Sequence, residues 1–287
     1  MKKIHVGFLL SYDYDKLKLS IPPVYKEADR IFIAEDINKI TWSGNKFVVD
    51  DSFYEWLKEF DVDNKIEFYR GDFYIPELSA IENDTRERHL LSLKMGIGNW
   101  LIQVDSDEYF IDFKSFVSGL RKYDHFLDAP EKNKVQFAAY WLIIYKYTEN
   151  GVLYVNKPMK AIFATNYPNY NCARRTGERV IYLNSLVLHE SIARTEEQLR
   201  YKLENWGHNE EVNSGFMDKW VQINENNYKE FTDLYYIEPE RWKELDYFPT
   251  KNIAEINQYA NQNKKLKLSK DYLFFKNLGQ SLKYTFK

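Results

Sequence analysis

Cysteine is almost absent from this chain: Cys172 stands alone among 287 residues. A lone thiol closes no disulfide within one chain, which fits a reducing compartment and a cytoplasmic location. Long apolar runs are also missing. None approaches the ~20 residues of a membrane-spanning helix, and the longest, Ala138–Tyr145, reads as a strand. Charge of one sign is not in excess. A net charge of −3 gives no footprint for nucleic acid, and helix-turn-helix and RNA-binding signatures do not occur. No P-loop is present, and Ser11–Leu19, directly after the first apolar run, holds no glycine. That counts against a nucleotidyltransferase loop. Gly96-Ile-Gly98 precedes a strand rather than following one, so it is not a dinucleotide fingerprint. No His/Cys spacing suggests structural zinc, and neither repeats nor low-complexity linkers interrupt the chain.

What is present in abundance is aromatic. Tyr, Phe and Trp make up 17% of the chain, within a hydrophobic share of 44% that suffices for a sizeable core. Sugars offer C–H faces that stack on such rings, although most of these rings are expected in the core. Met1-Lys2-Lys3 followed by Ile4–Leu10 imitates a leader faintly. The apolar stretch is short and has no small-residue cleavage site, so it reads as a first strand.

Strand-like runs alternate with helical patterns through the first half. Ile4–Leu10, Arg30–Ala34, Lys65–Tyr69 and Trp100–Val104 read as strands, with helices over Asp51–Phe60 and Ser79–Ile97. Ser79 with Glu82 forms a capping box. Such alternation predicts an α/β fold with a mainly parallel sheet, and ligands bind beyond the carboxyl ends of its strands. That rule points at Ser11–Asp15, Glu35-Asp36, Arg70–Asp72 and Asp105–Glu108. After Ile111, Lys134–Tyr147, Val152–Thr165 and Arg179–His189 look extended, with a hairpin around Glu149-Asn150-Gly151. Thr195–Trp206 is a helix opened by a second capping box, Thr195 with Gln198, and from about residue 215 the pattern is helical and polar.

One segment stands out chemically. Trp100-Leu-Ile-Gln-Val-Asp105-Ser-Asp107-Glu108 is a buried strand ending in three acids. Clustered carboxylates repel one another unless a cation neutralises them, and a hard divalent ion does so while leaving positions for substrate phosphates. On this reading, Asp107→Ala abolishes turnover yet leaves the metal-free fold intact or more stable.

The run Arg86-Glu-Arg88 through Trp100 to Asp105-Ser-Asp107-Glu108 resembles the helix-plus-DxD region of GT-A glycosyltransferases, above all bacterial family 2 enzymes. Leu188-His189-Glu190-Ser191-Ile-Ala193-Arg194-Thr195, continuing to Lys202-Leu-Glu-Asn-Trp206-Gly-His208, is similar to the later signature of that group and to a pattern in family 17. The opening departs from family 2: no Pro-x-Tyr-Asn-Glu follows the first strand. The resemblance implies a GT-A, Rossmann-like mixed sheet flanked by helices, with a catalytic domain over 1–210 and a helical extension over 211–287. It implies metal-dependent, inverting transfer from a nucleotide-sugar donor, UDP-linked, to a saccharide or lipid-linked acceptor. It also implies Mn²⁺ or Mg²⁺ on Asp105, Asp107 and His189, with Asp105 near the ribose or a metal-bound water. Asp36 is expected near the nucleoside, Asp72 at the base, and Arg86 facing the diphosphate.

Arg194, Lys202 and His208 offer positive charge to a leaving diphosphate. Arg174-Arg175 sits in a loop ahead of the His189 strand and suits a phosphate or an anionic acceptor. An inverting enzyme needs a carboxylate base; Glu178, Glu190 and Glu149 are the candidates, with Glu178 ranked first. Competing readings are a sugar-nucleotide nucleotidyltransferase and a non-catalytic carbohydrate-binding protein on the same fold. Finally, Asn263–Lys287 interleaves seven lysines with apolar residues, which suits either a helix packed on the domain or peripheral contact with an anionic membrane.

Overall fold

The computed structural model describes residues 2–206, 209–266 and 268–285. Its first half is the expected alternation. β1 (Ile4–Leu10), β2 (Arg30–Asp36), β3 (Ile66–Gly71) and β4 (Trp100–Gln103) run parallel, with β1 between β2 and β4. Every residue of β1 is buried, as a strand covered on both faces requires. Short turns of helix, α1 (Leu17–Ser20) and α2 (Pro22–Tyr25), follow β1. Helix α3 (Asp51–Phe60) starts where the Asp50 carboxylate accepts from the Ser52 amide, and α4 (Ala80–Met95) starts on the Ser79/Glu82 capping box. Helix α4 stops at Gly96, whose φ of 89° few other residues adopt.

The chain then adds β5 (Glu108–Phe110), α5 (Phe113–Arg121), β6 (Val135–Tyr147), β7 (Val152–Val155), β8 (Met159–Thr165), β9 (Tyr170–Cys172), β10 (Arg175–Thr176) and β11 (Arg179–His189). It closes with α6 (Glu196–Asn205), α7 (Phe216–Gln222), β12 (Leu245–Phe248), α8 (Ile253–Gln262) and α9 (Lys270–Thr285). The main sheet is mixed, in the order β12-β7-β6-β8-β4-β1-β2-β3, and β11 lies parallel to β6 and antiparallel to β5. The fold is therefore α/β, with helices flanking a mixed sheet and a helix at the C-terminal end.

Two expectations need correction. Val152–Thr165 is two strands, β7 and β8, separated at Asn156-Lys157-Pro158, where proline cannot donate to a ladder. The region after 211 is not purely helical either: β12 pairs with β7 and extends the sheet. A cluster of Trp220, Tyr236, Trp242 and Leu245 packs there with Tyr145 of β6 and Leu199 of α6.

Helix α9 closes an open edge. Tyr182 of β11 donates its amide to Asn277 Oδ1 at 2.8 Å and accepts from Asn277 Nδ2 at 3.0 Å, and the Val180 amide donates to Gln280 Oε1 at 3.1 Å. Side-chain amides stand in for a missing neighbouring strand, which leaves that edge unable to pair with another chain. Leu273 packs beside them against Tyr140 and Tyr182.

Candidate active site

The site forms because several strand ends meet. Parallel pairing of β1 with β4 sets Ser11–Asp13 beside Val104–Asp107. Antiparallel pairing of β5 with β11 sets His189 opposite Glu108, and the Glu190 amide donates to the Asp107 carbonyl at 2.9 Å. The chain then turns sharply, with Ser191 at a φ of 39°, and enters α6 through the Thr195/Gln198 capping box. That turn and the first two turns of α6 bring Arg194 and Lys202 back over Asp107.

Asp107 is the centre of the cluster. Its Oδ2 accepts from Arg194 Nη2 at 2.7 Å and from Lys202 Nζ at 2.5 Å, while its Oδ1 lies 3.5 Å from His189 Nε2. Burial works against its charge, but Lys202, His189 and Arg194 outweigh burial and hold its carboxyl well below the usual carboxylate range. Arg194 also reaches Asp13 Oδ2 at 3.0 Å. Burial, with Arg194 nearby, pushes the Lys202 ammonium down from its ordinary value.

The three acids of the motif have separate duties. Asp105 Oδ1 faces Arg88 Nη2 at 2.8 Å, with Arg174 Nη1 at 3.8 Å. Burial raises the Asp105 carboxyl, but these two arginines more than offset it and the net direction is down. Glu108 is fully buried and structural. It takes Arg174 through two bonds, of 2.8 and 2.5 Å, and accepts from Trp141 Nε1 at 2.7 Å and from the Asp105 amide at 2.8 Å. Arg174 in turn lies 4.5 Å from the ring centroid of Phe163. The Arg174-Arg175 pair is thus divided: Arg174 is a buried strut and Arg175 is exposed.

Several expected residues lie elsewhere. Asp36 is buried and orders two loops, accepting from the amides of Asn38, Ile40 and Phe73. Asp72 is exposed, and Arg86 donates to the carbonyls of Asp72 and Phe73. Arg88, two positions on, is the residue of α4 that faces the acids. It stands one helical turn from its partner Asp84, at 2.5 Å. Glu190 is buried among Lys16, Tyr109 and Tyr147, all of which bond its carboxylate. Glu178 is held by Asn169 at 2.7 Å, and Glu149 lies exposed in the β6–β7 turn. None of these three lines the cavity described below. His208 lies outside the described residues.

The donor set was weighed against a divalent ion. Two ligands on one ion at ~2.1 Å stand ~3.0–3.5 Å apart, from octahedral to tetrahedral angles. Asp107 Oδ1 and His189 Nε2 meet that spacing, and the second oxygen of Asp107 is occupied by cations. The His189 ring is steadied by Trp141, 4.6 Å away between centroids. Asp105, turned to Arg88, does not join them. Among the described residues no three His, Cys, Asp or Glu side chains gather into a group able to hold a metal alone. The pair fits two ligand positions, with the remainder left to a ligand.

These residues open onto a cavity of about 580 Å³, in the range of small-ligand sites. Near β1 its wall includes Ser11, Tyr12, Thr41, Trp42 and Arg88, with Asn205 from α6. Thr41 Oγ1 and Asn45 Nδ2 both donate to Asn205 Oδ1, at 2.9 and 2.8 Å, so the loop after β2 is fastened to α6. Its lining also holds the aromatic side chains of Trp141, Trp206, Tyr235 and Tyr236. Sequence reasoning missed Trp42 and Arg88, and it reached Asp13 only within the Ser11–Asp15 segment.

The sequence matches no family model and no curated protein. Among solved structures, mannose-6-phosphate isomerase from Helicobacter pylori aligns at 16% identity and a TM-score of 0.32, over 54% of this chain and 56% of that one. S. aureus TarS (residues 1–349) aligns at 14% identity and a TM-score of 0.27, over 53% and 37%. This chain therefore spans about half of the first and little more than a third of the second, and scores of this size assign no family.

Proposed function

We propose that this chain is a glycosyltransferase whose donor is a nucleoside diphosphate-linked sugar, with Mn²⁺ or Mg²⁺ held by Asp107 Oδ1 and His189 Nε2. One observation carries the reading. In a cavity at the carboxyl ends of β1 and β4, one Asp107 oxygen faces His189 while the other is held by Arg194 and Lys202. A site that pairs two metal donors with two cations suits a diphosphate better than a neutral ligand. The resemblance of the Asp105–Glu108 and His189–Lys202 segments to GT-A enzymes supports the same reading. The bound ion would supply charge neutralisation to the departing diphosphate. Lys202, which lines the cavity, would stabilise charge on that leaving group, while Arg194 holds Asp107 and Asp13 in place behind it. Trp42 and Tyr12 form the wall where a nucleoside would rest. Trp141, Trp206, Tyr235 and Tyr236 offer faces on which an acceptor saccharide stacks. The acceptor hydroxyl needs a base, and Glu211 and Glu238 are the carboxylates that the later part of the chain brings to this cavity.

The test is a screen of nucleotide-sugars for release of free nucleoside diphosphate, with Mn²⁺, with Mg²⁺ and with chelator. Metal-dependent release from one donor class, lost in Lys202→Met, supports the proposal. Absence of release and of metal-dependent binding across UDP-, GDP-, ADP- and dTDP-sugars removes it.

A further inference from the structure

Helix α9 has two faces, and only one is used by the fold. Leu273, Asn277, Gln280 and Tyr284 point at the domain: Leu273 into the Tyr140–Tyr182 cluster, the two amides onto β11, and Tyr284 Oη to the Gly177 carbonyl at 2.7 Å. At about 100° per residue, Phe274, Phe275, Leu278 and Leu282 fall within an arc of about 100° on the side turned away from the domain. All four are exposed, Phe274 at 63% and Phe275 at 67%. Solvent-facing helix positions cost nothing to fill with polar residues, so four large apolar side chains on one outward arc are not explained by packing. Lys270 lies beside one edge of that arc, Lys283 and Lys276 lie about 80–100° beyond the other, and Lys264 and Lys265 lie exposed just before the helix; the single acid of the segment, Asp271, falls inside the arc.

We infer that the outward face of α9 is a docking surface for an anionic lipid bilayer. The charge decides between occupants. A second copy would bring the same lysines against these, and like charges repel, whereas a bilayer bearing acidic headgroups attracts them. An amphipathic helix with an apolar arc and flanking lysines lies in the interface with its long cationic side chains reaching to the headgroups. The same helix is bonded to Val180 and Tyr182, which line the cavity, so docking sets that wall beside the membrane surface. The inference stands on α9 alone and does not depend on the reaction proposed above.

Removing the tail would be a poor test, because Asn277 and Gln280 complete the edge of β11. Point variants on the outward arc leave those bonds in place. The full chain is sedimented with vesicles of phosphatidylcholine alone or mixed roughly 2:1 with phosphatidylglycerol, at low salt and at about 0.5 M NaCl. Phe275→Ser/Leu278→Ser/Leu282→Ser and Lys270→Glu/Lys276→Glu/Lys283→Glu are compared with wild type, and light scattering records oligomeric state. The expected result is pelleting with phosphatidylglycerol vesicles at low salt only, weakened about tenfold or more in both variants. Three results overturn the inference: no pelleting at low salt; equal pelleting of all three proteins; or a dimer that the apolar variant dissociates while vesicles leave the protein in solution.

Discussion

Asp107 presents one carboxylate oxygen to His189 and the other to Lys202, and these two neighbours come from opposite ends of a single turn, the strand end of β11 and the second turn of α6. On the proposed function, the carboxylate is divided between a partner that would share a metal ion and a cation that would face phosphate. Each half is separately testable.

His189→Ala should raise the Mn²⁺ concentration for half-maximal donor turnover. The shift should reach at least the 10–100-fold that loss of an outer-shell group typically brings. Titration of metal into donor hydrolysis measures it. An unchanged half-saturation point removes His189 from the metal site.

Asp107→Ala should abolish turnover and also destabilise the fold. The acidic run alone suggests the opposite, since deleting one of several repelling carboxylates should relax them. The ion pairs reverse the sign: without Asp107, Lys202 loses its carboxylate partner and Arg194 keeps Asp13 and the Ser191 carbonyl. Loss of a buried partner typically costs about 3–5 kcal/mol. Urea unfolding should show it, and Asp107→Ala/Lys202→Met should recover part of the loss. A single mutant as stable as wild type contradicts the ion-pair account.

Arg174→Met should lower stability by a similar ~3–5 kcal/mol, because Glu108 is wholly buried and would keep only Trp141 and a backbone amide as partners. Adding Glu108→Gln to it should restore much of the loss. If the single change is silent in denaturant titration, Arg174 is no strut and is available to ligand.

Glu87 gives a pH dependence of defined sign. Burial pushes its carboxyl up to about 8, although the indole of Trp42 donates to it at 2.6 Å. Between the unfolded value near 4.5 and about 8 the folded state holds a proton that the unfolded state has lost. Stability therefore falls as pH rises through that window, by up to ~1.4 kcal/mol per unit, and levels off above it. Glu87→Gln keeps an acceptor for Trp42 and should flatten that slope, making the variant the more stable protein at pH 8. Parallel wild-type and variant curves between pH 5 and 8 would count against this.

Much of the frame was readable from sequence because it rests on local signals. Apolar runs gave the strands of the parallel half, Ser79/Glu82 and Thr195/Gln198 gave two helix starts, and the strand-end rule pointed at Asp13, Asp105 and Asp107. What sequence could not supply was direction. Asp36 and Asp105 both end or follow strands, yet Asp36 turns inward to backbone amides and Asp105 turns to the cavity. Arg86 and Arg88 share a helix, and only its rotation relative to the sheet makes Arg88 the one that meets Asp105. Glu190 reads as an available base and is instead consumed by Lys16, Tyr109 and Tyr147, brought together by tertiary contacts. Strand β12 was missed because its four residues carry no pattern longer than one pleat.

The bonds from Thr41 and Asn45 to Asn205 have a mechanical meaning. Helix α6 carries Asn205 in its last turn and Lys202 three residues earlier, so the loop beside Trp42 and the cation on Asp107 ride on one rigid rod. A ligand that tightens the loop also settles the rod against Asp107, and anything that settles Lys202 tightens the loop. By thermodynamic reciprocity the two ends of the cavity then strengthen each other's hold, so fragments occupying each end should bind cooperatively.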